Sequence, residues 1–113
     1  MLTRAARVIA ALIIVVAVGA GAALAADPPE VPLLLQQNQF QPAEVKVKAG
    51  APFVLVVTNK DAKAAEFESK ELRTEKVVPA GQTVKIRIRA LKPGTYPFFN
   101  DFNKETTGRI AAE

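Results

Sequence analysis

The chain has 113 residues, with 15 Lys and Arg against 11 Asp and Glu, and it contains neither His nor Cys. This length provides for one domain. Without Arg4 and Arg7, which lie at the N-terminus, 13 basic residues remain against 11 acidic ones, and a net charge of about +2 is too small to indicate a nucleic-acid-binding surface. The missing Cys excludes disulfide bonds and thiolate chemistry, and the missing His excludes imidazole as a metal ligand or as an acid–base catalyst.

The first 25 residues have the pattern of an export signal. Arg4 and Arg7 precede an uncharged apolar run at residues 8–26. Residues 23–25, Ala-Leu-Ala, have the small side chains that signal peptidase recognises, so we expect cleavage after Ala25 or one residue later. The alternative is an uncleaved inner-membrane anchor, because about 19 uncharged residues are just long enough to span a bilayer. Both interpretations predict a domain outside the cytoplasm, in the periplasm or otherwise exported.

The first half of the domain contains three predicted strands. After a Pro-rich spacer at residues 26–30, the domain is expected to occupy residues 31–113. The apolar run from Val31 to Leu35 is interrupted by proline, which predicts an edge strand. Residues 44–48 alternate valine with charged side chains and predict a half-buried strand. Residues 53–58 are rich in β-branched side chains and predict a strand in the centre of the core.

The second half shows further short strands separated by Pro and Gly turns. Residues 66–68 alternate, with Phe67 facing the core. The charged segment at residues 69–78 is compatible with a helical turn or with an irregular loop. Residues 83–90 give the clearest alternation of the sequence, and residues 95–100 and 108–111 are predicted to close the domain. This succession predicts an all-β fold, an antiparallel Greek-key β-sandwich.

Several segments resemble cupredoxins, specifically the cupredoxin-like domains found with bacterial elemental-iron uptake systems. The resemblance covers Phe40 to the C-terminus, and its carriers are Phe40–Gly50, Asn59–Asp61, Ala65–Ser69 and Leu91–Phe102. It implies a cupredoxin-like sandwich and a periplasmic role in passing iron toward a membrane permease.

The same resemblance shows that the ligands of a blue copper centre are missing. Such a centre takes a His after the fourth strand, and a Cys, a second His and a Met from the last loop. These positions fall on Glu66, Asn100, about Asn103 and near Thr106, and the only Met in the chain is Met1. The sequence therefore excludes a type 1 copper site, and a copper ion is less suited to this chain than an iron ion.

Carboxylates are the candidate metal ligands that remain. Glu66 and Glu68 are two residues apart on a predicted strand, so their side chains share one face. The last loop adds Asp101 and Glu105 as weaker candidates. Oxygen ligands suit hard cations such as ferric iron, manganese or calcium, and in the resembled family the Glu-Phe-Glu segment is associated with proposed metal binding. The alternative is that these residues form an ordinary solvated strand face.

Two functions are therefore expected. The first is a periplasmic accessory protein that binds a metal ion, with iron as the leading ion, in connection with membrane iron uptake. The second is a metal-free interaction module. In both, the predicted partner is an iron permease or a companion periplasmic protein, and contact with the membrane occurs through that partner or through an uncleaved anchor. The chain has no nucleophile or base in a catalytic arrangement, and a ferroxidase would require an external oxidant.

Overall fold

The computed structural model describes residues 27–113, which form nine strands. The predicted export signal and its cleavage site lie outside the described residues. The strands are β1 (Glu30–Gln36), β2 (Gln39–Gln41), β3 (Glu44–Val47), β4 (Phe53–Asn59), β5 (Ala65–Ser69), β6 (Thr74–Val78), β7 (Thr83–Ile88), β8 (Gly94–Asn100) and β9 (Asn103–Ala112). Within residues 27–113, no helix is long and apolar enough to span a membrane.

The strands form two mixed sheets that pack as a sandwich. The first sheet has four strands in the order β2-β1-β4-β7, and the second has five in the order β3-β9-β8-β5-β6. The prediction of an all-β sandwich is confirmed, but the purely antiparallel pairing is wrong. Strand β1 runs parallel to β4, and β3 runs parallel to β9. In each case a strand from the N-terminal part of the domain, β1 in the first sheet and β3 in the second, runs alongside a strand from later in the chain.

The core lies between the sheets and is built from alternate residues of the strands. In β4, which lies between β1 and β7 as a central strand, every second side chain from Phe53 to Asn59 is buried. At one end of the core the rings of Phe40, Phe67 and Phe98 pack together, with centroids 4.9 to 6.5 Å apart. This apolar packing stabilises the domain without disulfide bonds.

Strand β1 is an edge strand over only part of its length. Strand β2 pairs with it at Leu34–Gln36 alone, so the stretch around Pro32 pairs on one side only, with β4. The predicted edge position is therefore confirmed for the first half of β1 and wrong for the second half, which lies between two strands.

The charged segment that the sequence left undecided contains the edge strand β6. Four of its five side chains are half-buried or exposed, and only Val78 is buried. The alternation of polar and apolar residues that identifies a strand is therefore weak here. Strand β6 is antiparallel to β5 and brings Glu75 opposite Glu68.

Candidate metal centre

Glu66 and Glu68 lie on the outer face of the second sheet. Phe67, between them on β5, is buried in the core, so the alternation of side chains along a strand directs both glutamates away from it. Asp101, which directly follows β8, donates its backbone N–H to the Glu66 carbonyl oxygen at 2.9 Å. The pairing of β5 with the end of β8 thus brings a third carboxylate to the same face.

The three carboxylates converge. One oxygen atom each from Glu66, Glu68 and Asp101 lie within 4.8 Å of one another. Oxygens that each lie about 2.3–2.6 Å from a single calcium-sized cation are at most about 5 Å apart. The spacing of the three groups is therefore compatible with one shared cation of about the size of calcium.

Glu105 does not belong to this group. Only Asp101 and Phe102 separate β8 from β9, so Glu105 lies within β9 rather than in a loop. Its exposed side chain lines a separate depression with Asn38 and Thr106. Of the four predicted ligands, the structure brings three together.

A further carboxylate that sequence reasoning missed lies beside the group. Glu75 pairs with Glu68 across β5 and β6, and directly opposite residues of antiparallel strands project from the same face. Its carboxyl group is within hydrogen-bonding reach of that of Glu66. The signal that could have identified Glu75 is its register with Glu68, which requires β6 to be recognised as a strand.

Glu66 is the buried member of the group. The residue is 9% exposed, and Oε1, one of the two oxygens of its carboxyl group, has no hydrogen-bond partner among the described residues. A buried carboxylate oxygen without a partner is energetically costly. A cation coordinated by Oε1 would satisfy this oxygen.

The neighbouring carboxyl groups raise the pKa values of both glutamates of β5. The hydrogen bond with Glu75 contributes most to the pKa of Glu66, followed by burial and the negative charges of Glu75, Asp101 and Glu68, and together they raise this pKa to about 7. Burial contributes most to the raised pKa of Glu68, followed by the charge of Asp101. Lys104 Nζ lies 3.8 Å from Asp101 Oδ1, but this ion pair is accessible to solvent and offsets little of the repulsion between the carboxylates. Without a cation, the group is therefore under electrostatic repulsion at neutral pH.

We expect the metal-free protein to lose stability as the pH rises. The folded-state pKa values of Glu66 and Glu68 are raised, so the folded protein binds more protons than the unfolded chain. The contribution of Glu66 to stability is fully present below the ordinary value of 4.5 and is lost as the pH rises through about 7. Glu68, whose pKa is also raised, contributes in the same direction. Thermal unfolding in chelator-treated buffer, from about pH 5 to about pH 8 at constant ionic strength, measures this. The Glu66→Gln variant should show a flatter profile, and an unchanged profile would contradict the assignment.

A separate depression lies at the end of the sandwich, next to the turn between β8 and β9. Ala65, Asn100 and Asn103 line it. Glu66, the position that the resemblance matches to the first copper-ligating His, is not among the residues that line this depression, because side chains alternate along β5 and Ala65 faces it. Asn100 Oδ1 instead accepts hydrogen bonds from the backbone N–H groups of Glu66 at 2.9 Å and Phe102 at 3.1 Å. In a chain without His or Cys, this donor set does not fit a type 1 copper ion.

The sequence was compared with protein-family models and with known proteins. The family model described as a cupredoxin-like domain matches residues 8–112. An uncharacterised protein of Rickettsia prowazekii (strain Madrid E) is 35% identical over 77 residues, which is 68% of this chain. The match spans 62% of the length of that relative.

Solved structures of similar fold include the following two. The metal-binding domain of the Streptococcus pneumoniae Cu(I)-exporting P-type ATPase CopA, solved with Cu(I), superposes with a TM-score of 0.65 at 14% identity, covering 74% of this chain and 84% of that chain. The reduced state of an amicyanin mutant superposes with a TM-score of 0.61 at 14% identity, covering 74% of this chain and 82% of that chain. At these identities the likeness shows the fold alone.

Proposed function

This chain belongs to the cupredoxin-like domain family, and we propose that it binds a hard metal cation on the outer face of its second sheet rather than copper at the end of the sandwich. The observation that carries the proposal is the convergence of Glu66, Glu68 and Asp101. The buried, unpartnered Oε1 of Glu66 supports it independently.

The chemistry of the donors favours iron(III) as the candidate ion. Carboxylate oxygens are hard ligands, which suit highly charged cations and are poor ligands for Cu(I). Three carboxylates also carry three negative charges, which a trivalent cation balances. The same ion would offset the mutual repulsion of these groups at neutral pH.

We propose that the site serves transfer of the ion rather than its permanent retention. Asp101 is half-buried and Glu75 is exposed, so the group can be reached from solvent. Together with the export-signal pattern and the resemblance to domains of iron uptake systems, this supports a periplasmic accessory role. The partner in this proposal is an iron permease or a companion periplasmic protein.

Calorimetric titration of the purified protein with Fe(III), delivered as its citrate complex, and with Cu(II) tests the proposal. We expect one equivalent of Fe(III) to bind. Loss of even an outer-shell partner weakens metal affinity by about 10–100-fold, so the Glu66→Ala/Glu68→Ala variant should weaken Fe(III) binding at least about 100-fold.

The matched control is Glu71→Ala/Glu105→Ala, which removes the same charge from two exposed residues outside the group. It should bind Fe(III) as the unmodified protein does. Circular dichroism checks that each variant is folded. Equal, weak binding by all three proteins would refute the proposal.

The alternative is a metal-free module that docks on a protein partner. Two exposed apolar side chains favour it: Phe102, which is 56% exposed and follows Asp101, and Val77, which is 47% exposed and pairs with Glu66. Apolar side chains beside an acidic group would suit a protein contact. This alternative predicts no specific heat of Fe(III) binding in the titration.

A further inference from the structure

We infer that Glu75 is a fourth ligand of this site and that it sets the selectivity of the site for trivalent over divalent cations. The inference rests on the proposed metal-binding function and extends it. The three converging carboxylates come from β5 and from the end of β8, whereas Glu75 comes from the edge strand β6.

The register of β5 and β6 places Glu75 next to the site. Glu75 is directly opposite Glu68, and Val77 is directly opposite Glu66. Directly opposite Cβ atoms are about 4.5–5.5 Å apart, and diagonal ones are about 7–8 Å apart, within reach of two long side chains. The Glu75 carboxyl group does reach that of Glu66. The carboxylates therefore extend across three adjacent strands, with Asp101 on one side of Glu66 and Glu75 on the other.

When the carboxyl groups are ionised, the arrangement is unfavourable without a bound cation. Like charges directly opposite each other on antiparallel strands destabilise the pair, and Glu68 and Glu75 are such a pair. Lys76, the lysine of β6, pairs with Phe67 and so projects from the opposite face. Lys70, whose charge lowers the pKa of Glu68, and Lys104, which lies beside Asp101, are exposed and offset the repulsion only in part. The second, independent observation is Glu66, which is nine-tenths buried with Oε1 unpartnered among the described residues. One cation bound between these groups would offset the repulsion of Glu68 and Glu75 and would give Oε1 of Glu66 a partner.

The number of carboxylates determines which cation charge is favoured. With Glu75 included, four carboxylates leave a net charge of −1 around a trivalent ion and −2 around a divalent one. When Glu75 is removed, the relief of carboxylate repulsion is the same for both ions, but the lost attraction scales with the charge of the cation. The affinity for a trivalent ion should therefore fall further than the affinity for a divalent ion.

Calorimetric titration of the full chain and of the Glu75→Gln variant with Tb(III) and with Ca(II) tests this inference, because these two ions are similar in size and differ in charge. We expect the variant to bind Tb(III) at least about tenfold more weakly and to lose less affinity for Ca(II). The ratio of the two affinities should fall at least about threefold. The control Glu71→Gln makes the same charge change in the exposed turn between β5 and β6 and should leave both affinities unchanged.

The outcomes separate this inference from the proposed function. If the unmodified chain binds neither ion, the proposed function fails. The inference on Glu75 is wrong, while the proposed function stands, if the unmodified chain binds Tb(III) and either of two results is found for the Glu75→Gln variant. The first is that its affinities for both ions lie within about twofold of those of the unmodified chain. The second is that it loses the same factor of affinity for both ions. Because Glu75 is exposed on an edge strand, thermal unfolding should show that the variant is folded and no less stable than the unmodified chain without metal.

Discussion

Gly108→Ala is expected to destabilise the domain by about 3 kcal/mol. A Cβ atom at this position would lie 2.5 Å from Cζ and 2.6 Å from Cε2 of Phe98, its partner across β8 and β9. Phe98 is 1% exposed, and its ring packs against Phe40 and Phe67 at centroid distances of 4.9 and 5.0 Å. The ring therefore cannot move aside without disturbing the aromatic core. Urea denaturation of the two proteins measures the difference in the free energy of unfolding.

Two comparisons test the steric explanation. Thr107→Ala, at the exposed neighbouring position of β9, should change stability by no more than about 0.5 kcal/mol. Introduced into a Phe98→Leu background, Gly108→Ala should cost clearly less, because the shorter side chain vacates the space that Cβ needs. An equal penalty in both backgrounds would show that the clash with Phe98 is not the cause.

Asn100→Ala is expected to cost about 2–4 kcal/mol of stability. The Asn100 side-chain oxygen accepts hydrogen bonds from two backbone N–H groups, those of Glu66 and Phe102. The hydrogen bond to Glu66 is buried, so truncation leaves the backbone N–H of Glu66 without a partner and out of reach of water. The desolvation cost of this N–H is then no longer offset by a hydrogen bond. Thermal and chemical unfolding measure the loss.

The neighbouring Asn103 provides the matched control for Asn100. It is half-buried in the same turn region, and its side chain makes no hydrogen bond within residues 27–113. Asn103→Ala should cost less than about 1 kcal/mol. Similar losses in the two variants would mean that the amide of Asn100 does not hold the end of β8 to β5.

Strong alternation along the chain made much of the fold predictable. Residues 83–90 alternate strongly and correspond to β7, and the β-branched run at residues 53–58 corresponds to β4. Strand β6 was missed because it lies at the edge of its sheet and buries only Val78, so its sequence carries little apolar signal. The parallel pairing of β1 with β4 was not predictable from local pattern, because it depends on contacts between segments far apart in the chain.

The candidate site was predictable only in part for the same reasons. The period of two along β5 placed Glu66 and Glu68 on one face, and their proximity to Asp101 follows from the pairing of β5 with β8. Glu105 was grouped with them by its nearness in sequence, but β9 carries it to another depression. Glu75 was not predicted because its approach to Glu68 depends on the register of a strand that the sequence did not reveal.

Two regions of this cupredoxin-like domain thus have different roles in our account. The end of the sandwich near the turn between β8 and β9 is held by the amide of Asn100, which accepts hydrogen bonds and supplies no soft ligand. The outer face of the second sheet carries the converging carboxylates. Substitutions at Asn100 should therefore affect stability first, and substitutions at Glu68 or Asp101 should affect cation binding first.

The most direct test of the account is to locate a bound cation by anomalous scattering from crystals of the protein soaked in Tb(III). We predict one strong peak, about 2.3–2.6 Å from carboxylate oxygens of Glu66, Glu68 and Asp101. A strong peak only in the depression lined by Asn100 and Asn103, or only at acidic side chains outside the group, would contradict the account.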